Sequence, residues 1–341
     1  MQGVLVSYPG KLAMQYDPVL FALNRSRPFG ERVAFGLGCR LSALEEREFE
    51  SGEHKIRPLE EVGGRNVYVV HALNGERGAS ANDKLVRLLF FIGALKDAGA
   101  EKVTAVCPYL AYSRKDRRTK SRDPVSTRYI AALFEALGTD RLITLEAHNI
   151  AAFENAFRSC RPENLPVARL LADHIAGSLG DVEVAVVSPD TGGDKRAELF
   201  RRELARQLGR PVGKAILDKF RSEGVVSGSL FAGNVAGCTA IIVDDMIASG
   251  GTMMRAVEAC RNAGARHVIA AAAHGLFDSR SALFMAGRPD RIIVTDTIQL
   301  PADLPGVARD MIELVEAAPL VAEVINRLHH GEPVSELLPF A

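Results

Sequence analysis

Short apolar runs rich in Val and Ile alternate along the chain with longer stretches in which apolar residues recur at helical spacing. Such alternation predicts strand–helix units and a largely parallel sheet. The pattern occurs twice, once in each half of the chain. Uniformly apolar runs such as Val184–Val187 and Ala240–Val243 predict strands that are buried on both faces. The sequence therefore predicts an α/β fold with two similar halves.

The same pattern locates the individual elements. Strands are predicted at Val19–Leu23, Asn66–His71, Val103–Cys107 and Arg141–Leu145 in the first half, and at Val184–Ser188, Val212–Leu217, Thr239–Val243, Val268–Ala272 and Arg291–Val294 in the second. Helices are predicted between them, for example at Asp83–Lys96 and Val125–Leu137. The C-terminal run Pro319–Leu328 also has helical spacing, and we expect it to pack back on a core.

The length of 341 residues suggests two domains, because domains average about 150 residues. The stretch Ser159–Pro166 carries two prolines and lies between the two halves, so the boundary is predicted there. This divides the chain into an N-terminal extension (1–18), a first domain (19–160) and a second domain (161–318). We expect the C-terminal segment (319–341) to join the first domain.

Composition and charge exclude several classes of protein. Hydrophobic residues make up 47% of the chain and charged residues 25%, as in ordinary globular proteins. The 42 basic and 42 acidic residues cancel, which argues against a nucleic-acid binder. Five widely spaced cysteines without a C-x-x-C pair predict reduced thiols, with neither a disulfide framework nor a thiolate zinc site. Without a signal peptide or a run of about 18 apolar residues, we expect a cytoplasmic protein with no membrane segment.

The segment 240–260 is the strongest candidate for chemistry. A buried strand leads into two adjacent carboxylates, Asp244 and Asp245, and a turn of small residues at 248–252 precedes a helix. Ligands bind at the carboxyl ends of parallel strands, and such a turn lets backbone N–H groups surround a phosphate at the helix N-terminus. The two carboxylates can accept hydrogen bonds from sugar hydroxyls or hold Mg2+. An ordinary turn with a solvated acidic pair would give the same local pattern.

This segment resembles the phosphoribosyl-diphosphate motif of the type I phosphoribosyltransferase fold. Residues 186–197 (VVSPDTGGDKRA) and 108–126 (PYLAYSRKDRRTKSRDPVS) look like the corresponding stretches of ribose-phosphate pyrophosphokinases. Three further matches follow in the family's order: FESGE at 49–53, ITLEAHN at 143–149 and ILDKFR at 216–221. The resemblance implies two type I phosphoribosyltransferase-like domains, each with a mostly parallel sheet flanked by helices.

The resemblance also implies an activity, since these enzymes transfer the diphosphoryl group of ATP to ribose 5-phosphate with Mg2+ as cofactor. It implies ribose 5-phosphate-binding residues at Asp244, Asp245, Ser249, Gly250, Gly251 and Thr252. It implies ATP-binding residues at Phe49, Glu53, Arg114, Lys115 and Asp116, metal ligands at His148 and Asp190, and catalytic cations at Lys219 and Arg221. It further implies homo-oligomers, in which dimers assemble into a hexamer and the nucleotide site is shared between subunits.

The metal site can also be argued from the residues themselves. Asp190 follows a predicted strand and precedes two glycines, so its carboxylate should lie at the ligand edge of the sheet. A lone histidine such as His148 is more often structural than a ligand, and Mg2+ prefers oxygen. The residues alone therefore favour Asp190, and the resemblance adds His148.

Cationic residues suit phosphate chemistry. Arginines in the charge run 114–118 can recognise phosphate through planar, bidentate contacts, although such runs are usually solvated. Lys219 and Arg221 precede a Ser- and Gly-containing stretch, 222–233, that can form a mobile hairpin and deliver both cations to a substrate. Without the resemblance, this pair would be an ordinary solvated charge.

The chain departs from the family pattern at positions that concern substrate or metal contacts. These are Ser51 (usually Asp), Lys115 (usually Gln), Glu146 (usually Asp), Phe220 (usually Arg) and Ala248 (usually Asp). Two other functions therefore stay open. One is a regulatory paralogue that keeps the fold without the activity, which Ser51 and Ala248 motivate. The other is a phosphoribosyltransferase, against which the ATP-like segment and the two-domain length argue.

Overall fold

The computed structural model describes residues 17–222, 225–277 and 281–338, and the side chains of 218–230 lie outside the described part. Two main sheets with flanking helices form the fold, which confirms the predicted α/β class. The predicted N-terminal extension, residues 1–18, falls almost wholly outside the described residues. Across the described ranges, no helix is both long and apolar enough to span a membrane.

The elements alternate as the sequence predicts. The first half contains β1 (Val19–Ala22), α1 (Arg27–Gly36), β2 (Leu44–Glu48), β3 (His54–Pro58), β4 (Asn66–Val70), α2 (Ala81–Asp97), β5 (Lys102–Cys107), α3 (Ser126–Ala136), β6 (Arg141–Leu145), α4 (Ile150–Glu154) and β7 (Arg161–Leu165). The second half contains α5 (Ala168–Ala176), β8 (Val184–Ser188), α6 (Asp194–Leu208), β9 (Gly213–Ser222), β10 (Val225–Gly233), β11 (Thr239–Ile247), α7 (Gly251–Asn262), β12 (His267–Gly275), β13 (Arg291–Thr295), α8 (Gly306–Asp310), β14 (Ile312–Val315) and α9 (Ala318–His330). Every predicted strand is confirmed, and several extend further than predicted.

Both sheets are essentially parallel. The first has the order β1-β4-β5-β6-β7. The second has the order β10-β9-β8-β11-β12-β13-β14, in which β10 alone runs antiparallel to its neighbour. Because the carboxyl ends of parallel strands share one edge of a sheet, the loops after β5 and β6 lie together, as do the loops after β8 and β11.

Helix α9 returns to the first half and packs on α1, as predicted for the C-terminal run. A Cβ placed on Gly36 of α1 would lie 2.7 Å from the Cβ of Ala322 in α9. The His329 ring lies 6.1 Å from the ring of Tyr68 in β4. Buried apolar residues of α1 and α9 belong to one core cluster that also contains strands of both sheets.

The domain boundary predicted at Ser159–Pro166 is wrong in detail, because part of this stretch is a strand. β7 pairs in parallel with β6 along its whole length. It is the edge strand of its sheet, so Pro162 can lie in it without removing a hydrogen bond to a further strand. The chain leaves the first sheet only after Leu165, and the first half therefore extends beyond residue 160.

The strands β2, β3 and β14 have no counterpart among the strands predicted from the sequence. β2 and β3 form a separate antiparallel hairpin, and Phe49, Ser51 and Glu53 lie between its strands. The strand Leu44–Glu48 is polar and has no buried residue, so it lacks the apolar alternation that marks a half-buried strand.

Buried polar contacts join the two halves close to the sheet edges. His274 in β12 is buried, and its Nε2–H donates to the carbonyl oxygen of Leu145, the last residue of β6, at 3.1 Å. Its Nδ1 accepts a hydrogen bond from Thr297 Oγ1 at 2.8 Å. Arg32 of α1 binds Asp296 after β13 at 2.9 Å. These contacts fix the end of β6 relative to the second sheet.

The burial of His274 should make the protein less stable as the pH falls below neutral. Burial lowers the pKa of His274 from 6.5 to about 4, so between these values the unfolded chain binds more protons than the folded protein. Lowering the pH from about 7 to about 5 should therefore reduce the free energy of unfolding by about 2 kcal/mol through this residue. Urea unfolding at both pH values measures this loss in the free energy of unfolding. The loss should be smaller in His274→Gln than in the unmodified protein. The matched variant His267→Gln changes an exposed histidine and should keep the full loss; equal losses in both variants would contradict the assignment.

Candidate functional site

A cavity of about 950 Å3 lies where the carboxyl edges of the two sheets meet. The first sheet contributes the loop after β5, with Arg114, Asp116 and Arg117, and the loop after β6, with residues 146–151. The second sheet contributes residues 190–193, Lys195 and Arg196 after β8, and residues 244–253 of β11 and the turn that follows. Both halves of the chain therefore line one cavity.

The small-residue turn at 248–252 forms one wall of this cavity. It joins β11 to α7, whose first residue is Gly251, so its backbone N–H groups lie at the positive end of the helix dipole. Gly250 has a φ of 79°, and a Cβ there would lie 2.6 Å from the Ser281 hydroxyl. That hydroxyl donates to the Ser249 carbonyl oxygen at 3.2 Å. Conformation and packing both require glycine at 250, and the resulting turn can surround an anion.

The acidic pair lies inside β11 and not after it, because the strand continues to Ile247. Pairing with β12 extends it, with Gly275 opposite Ile247. Asp245 is buried, and its Oδ2 lies 2.8 Å from Nδ1 of His148. Asp244 is partly exposed, and its Oδ1 accepts the backbone N–H of Asp245 at 2.8 Å. The first sheet thus holds Asp245 through His148, while Asp244 is more accessible.

The pKa values of the two carboxylates are shifted in opposite directions. Burial and the neighbouring charge of Asp245 raise the pKa of Asp244 above its ordinary value. Burial also acts against ionisation of Asp245, but the hydrogen bond with His148 and the charge of Arg196 lower the pKa of Asp245 below its ordinary value. The same hydrogen bond raises the pKa of His148. A carboxylate whose ionised form is favoured therefore lies beside one whose ionised form is disfavoured.

Arg196 of α6 connects the acidic pair to the first sheet. Its side chain is 13% exposed, and its Nε donates to Glu146 Oε1 at 2.9 Å. Its Nη1 lies 3.6 Å from Asp244 Oδ1 and 3.7 Å from Asp245 Oδ1. Although burial acts against the charged form, Glu146 and both aspartates raise the pKa of Arg196. Arg196 is not among the site residues predicted from the sequence; its signal is its place in the first turn of the helix that follows Asp190.

Both carboxylate oxygens of Glu146 accept hydrogen bonds. While Oε1 binds Arg196, Oε2 accepts the backbone N–H of Val167 at 3.0 Å. The residue is buried and has a φ of 45°, in the left-handed region that non-glycine residues rarely adopt. This backbone conformation turns the chain at the end of β6 and aims the carboxylate at the second sheet.

The predicted metal ligands His148 and Asp190 both line the cavity. Asp190 Oδ1 accepts the backbone N–H groups of Gly192 and Gly193. Within the described ranges, no three His, Cys, Asp or Glu side chains converge on a metal site. Mg2+ often binds through one or two carboxylates and completes its shell with water and substrate phosphates. The carboxylate of Asp190, with His148 as the other predicted ligand in the same cavity, fits an ion that arrives with a phosphate ligand.

The loop after β5 places two of its three predicted ATP-binding residues at the cavity. Arg114 and Asp116 line it, and Asn149 donates to Asp116 Oδ2 at 2.6 Å. The Lys115 ammonium instead binds Asp123 Oδ2 at 2.6 Å, within the same loop. Its charge therefore supports the conformation of the loop and does not face the cavity.

Phe49 and Glu53 do not lie at this cavity. They line a second pocket of about 530 Å3 between the turn of the β2–β3 hairpin and helix α2. The Ser51 hydroxyl donates to Glu53 Oε2 at 3.0 Å, and the rings of His54 and Phe90 stack at 5.5 Å. Within one copy of the chain, the predicted ATP-binding residues are therefore divided between two places.

The predicted catalytic cations lie in β9, and their side chains fall outside the described residues. Ile216 of β9 pairs with Ser188, the last residue of β8. Lys219 is three residues and Arg221 five residues beyond that level, which is about 10 Å and 17 Å at roughly 3.3 Å per residue. β10 pairs with this extension, so the hairpin is made of β9 and β10 and extends past the carboxyl edge of the sheet. The prediction is wrong in its bounds, because it placed the hairpin at 222–233 and both cations before it, whereas they lie in its first strand.

Known protein families match most of this chain. The family model for the N-terminal domain of ribose phosphate pyrophosphokinase matches residues 18–138, and the model for the phosphoribosyl synthetase-associated domain matches residues 228–339. Ribose-phosphate pyrophosphokinase 1 of Streptococcus pyogenes is 36% identical over 333 residues, which cover 94% of this chain and 97% of that protein. Ribose-phosphate pyrophosphokinase 2 of Enterococcus faecalis is 34% identical over 328 residues, with the same coverage of 94% and 97%.

A solved structure matches the fold over the same extent. The crystal structure of phosphoribosylpyrophosphate synthetase from Mycobacterium smegmatis has a TM-score of 0.82 and 30% sequence identity, and the match covers 93% of this chain and 100% of that chain. The likeness includes both sheets, which confirms the predicted pair of phosphoribosyltransferase-like domains.

Proposed function

Because the chain belongs to the ribose-phosphate pyrophosphokinase family, we propose that it transfers the diphosphoryl group of ATP to the anomeric hydroxyl of ribose 5-phosphate. The products are phosphoribosyl diphosphate and AMP. One observation carries the proposal: a single cavity joins a phosphate-binding turn and an acidic pair on one sheet to a cationic loop on the other. Such a cavity can hold a sugar phosphate and a nucleotide against each other.

Ribose 5-phosphate binds with its phosphate in the turn of Ser249, Gly250, Gly251 and Thr252. The backbone N–H groups at the start of α7 and the two hydroxyls donate to the phosphate oxygens. The acidic pair accepts hydrogen bonds from the ribose hydroxyls. Asp244 makes the closer contact in this proposal, because it is the more exposed carboxylate and His148 and Arg196 already hold Asp245.

ATP binds on the wall that the first sheet provides. Arg114 contacts the phosphates through its guanidinium group, while Asn149 keeps Asp116 in position beside it. His148 and Asp190, the predicted metal ligands, would hold Mg2+ together with phosphate oxygens, and the hydrogen bond with Asp245 orients His148. When bound, Mg2+ neutralises phosphate charge.

The transfer requires the anomeric oxygen to attack the β-phosphorus in line, with AMP as the leaving group. Phosphoryl-type transfer leaves little covalent work for the protein, so most of the rate comes from positioning and charge neutralisation. The turn and the acidic pair fix the sugar, and Arg114 fixes the nucleotide. Lys219 and Arg221 supply positive charge from the hairpin beyond the edge of the sheet.

A second copy of the chain completes the nucleotide site in this proposal. Phe49 and Glu53 lie in their own pocket, apart from Arg114 of the same copy, so the base is bound between two copies. We propose dimers that assemble into a hexamer. A cytoplasmic location suits the chain, since all five of its cysteines are free.

Lys115 should affect ATP binding although it does not line the cavity. Asp123 accepts hydrogen bonds from the Lys115 ammonium and from the backbone N–H groups of Thr119 and Lys120, and these bonds hold the loop that carries Arg114. Replacing Lys115 with Met should raise the KM for ATP about tenfold, because a loosened loop misplaces its phosphate contact. Steady-state kinetics with ribose 5-phosphate in excess measures this. The control Lys120→Met leaves the backbone bond to Asp123 intact and should keep the KM; an unchanged KM in Lys115→Met would remove the loop support from the proposal.

The test of the activity is AMP formation by the purified protein with Mg-ATP, with and without ribose 5-phosphate. AMP should appear only with ribose 5-phosphate, together with a sugar whose mass has gained two phosphates. ADP in place of AMP, or no nucleotide turnover by the folded and assembled protein, would contradict the proposal. Normal co-assembly with an active homologue in the second case would favour the regulatory paralogue, and base-dependent release of pyrophosphate without ATP would favour a phosphoribosyltransferase.

A further inference from the structure

We propose that Arg255 completes the site for the 5-phosphate of ribose 5-phosphate, by orienting the Thr252 hydroxyl and by supplying the positive charge that the turn lacks. The inference rests on the proposed function, which places the phosphate in the turn 249–252. Arg255 lies within the segment 240–260, but neither its residue pattern nor the family resemblance assigned it a role. It lies in α7, one helical turn after Thr252.

The guanidinium group of Arg255 lies against the first turn of α7. Its Nη2 donates to Thr252 Oγ1 at 3.1 Å. Its Nη1 lies 3.8 Å from the place that a Cβ on Gly251 would occupy. Since residues three apart on a helix lie on one face, the side chain extends back along the helix toward the phosphate turn.

The charge of the ligand calls for a cation at this place. A phosphate monoester carries about −1.5 to −2 charges near pH 7, whereas residues 248–252 include no charged side chain. The end of a helix dipole offers the equivalent of only about half a positive charge. The nearest acidic pair, Asp244 and Asp245, is negative, and Arg196 is already shared between that pair and Glu146. Arg255 supplies the missing charge from the helix side of the turn.

The bond from Arg255 also fixes what the Thr252 hydroxyl can do. A hydroxyl has one proton and two lone pairs. Because Oγ1 accepts from Arg255, its own proton is left to point at another acceptor. A phosphate oxygen in the turn is that acceptor, and a hydroxyl polarised by a cation is a stronger donor.

Arg255 has donors left for the ligand. A guanidinium carries five N–H donors, and in the described part of the chain Arg255 uses its side chain only toward Thr252. Arg261, at the other end of the same helix, differs in this respect. Its guanidinium is bound to the Arg288 carbonyl oxygen and to Asp290, so it offers a matched arginine with a purely structural environment.

The test compares Arg255→Gln, Arg255→Lys and the control Arg261→Gln in the full-length protein. Isothermal titration with ribose 5-phosphate should show binding weakened at least about tenfold in Arg255→Gln, because a charge-assisted contact is lost. Arg255→Lys keeps the charge and should recover part of the affinity, and Arg261→Gln should bind like the unmodified protein. In kinetics, the KM for ribose 5-phosphate should rise far more than kcat falls, and the KM for ATP should stay the same.

Comparing the binding of ribose 5-phosphate with that of ribose separates a specific role in phosphate binding from general damage to the site. Ribose without its phosphate, used as a competing ligand, should bind Arg255→Gln and the unmodified protein equally. Equal affinity of both proteins for ribose 5-phosphate would overturn the inference and leave the proposed function intact. Weakened ribose 5-phosphate binding in Arg255→Gln, with no AMP formation by the unmodified protein, would support the inference and contradict the proposed reaction.

Discussion

Replacing Arg196 with Gln should lower turnover by at least about 100-fold, since small displacements of reacting groups cost that much. The side chain is nearly buried, binds Glu146 and lies between Asp244 and Asp245. Without its charge, three carboxylates face one another at the junction of the two sheets. Removing one partner of a buried ion pair typically costs about 3–5 kcal/mol of stability. Urea unfolding and AMP formation measure the two effects on the same preparation.

The control for this prediction is Arg202→Gln on the same helix. Arg202 is 72% exposed and pairs with Glu198 on the surface, so its loss should leave stability and turnover nearly unchanged. Arg196→Lys separates charge from geometry: it keeps a cation but cannot bind Glu146 and the acidic pair together through one planar group. It should recover stability better than turnover. Turnover in Arg196→Gln within about threefold of the unmodified protein would contradict the connecting role.

Replacing Lys219 with Ala should lower turnover by about 100- to 1,000-fold, the usual range for a group that stabilises transition-state charge. The affinity for ribose 5-phosphate should change little, because we propose that the 5-phosphate binds at the turn after β11. Lys219 lies in β9 beyond the level at which β8 ends, at the carboxyl edge of the sheet. Single-turnover AMP formation, with binding measured separately, gives the two quantities.

Lys214→Ala is the matched control, because Lys214 lies on the same strand within the sheet. It binds Asp194 at 2.8 Å and Glu198 at 3.6 Å, and these contacts are distant from the transfer step. Its replacement should leave turnover close to that of the unmodified protein. An unchanged rate in Lys219→Ala would remove this residue from the mechanism.

Much of the fold could be predicted because buried parallel strands have a simple pattern. Val184–Ser188 is buried throughout and apolar up to its last residue, and the prediction gave its bounds. The hairpin of β2 and β3 was missed because its first strand is polar and has no buried residue. β7 was taken as a boundary because its proline is a strong sign of a break, and an edge strand tolerates proline where an inner strand does not.

Part of the candidate site could likewise be predicted from the sequence, and part could not. The turn 249–252 and the acidic pair are continuous in sequence, so local pattern predicted their placement together. Arg196 was missed because its role depends on Glu146 and Asp245, which lie 50 and 49 residues away along the chain. Contacts across two sheets leave no periodic signal, and the direction of a long side chain is not encoded in its neighbours.

The interaction partner of Lys115 could not be predicted from the sequence. A lysine in a charge run beside the cavity was predicted to contact ATP, yet its ammonium binds Asp123 within the loop. Sequence gives the position of the charge but not its partner, since Asp123 is eight residues away and reaches Lys115 only because the loop folds back. Glu146 is similar: as a longer carboxylate than the family's usual Asp, it binds Arg196 across the junction.

The central claim is that one cavity between the two sheets holds both substrates in position for transfer. A crystal structure of the protein with ribose 5-phosphate and a non-hydrolysable ATP analogue tests it most directly. We expect the 5-phosphate within hydrogen-bond distance of the backbone N–H groups at 249–252, and the β-phosphorus of the analogue in line with the anomeric oxygen. A sugar phosphate bound outside this turn, or a nucleotide bound away from Arg114 and Asp190, would contradict the claim.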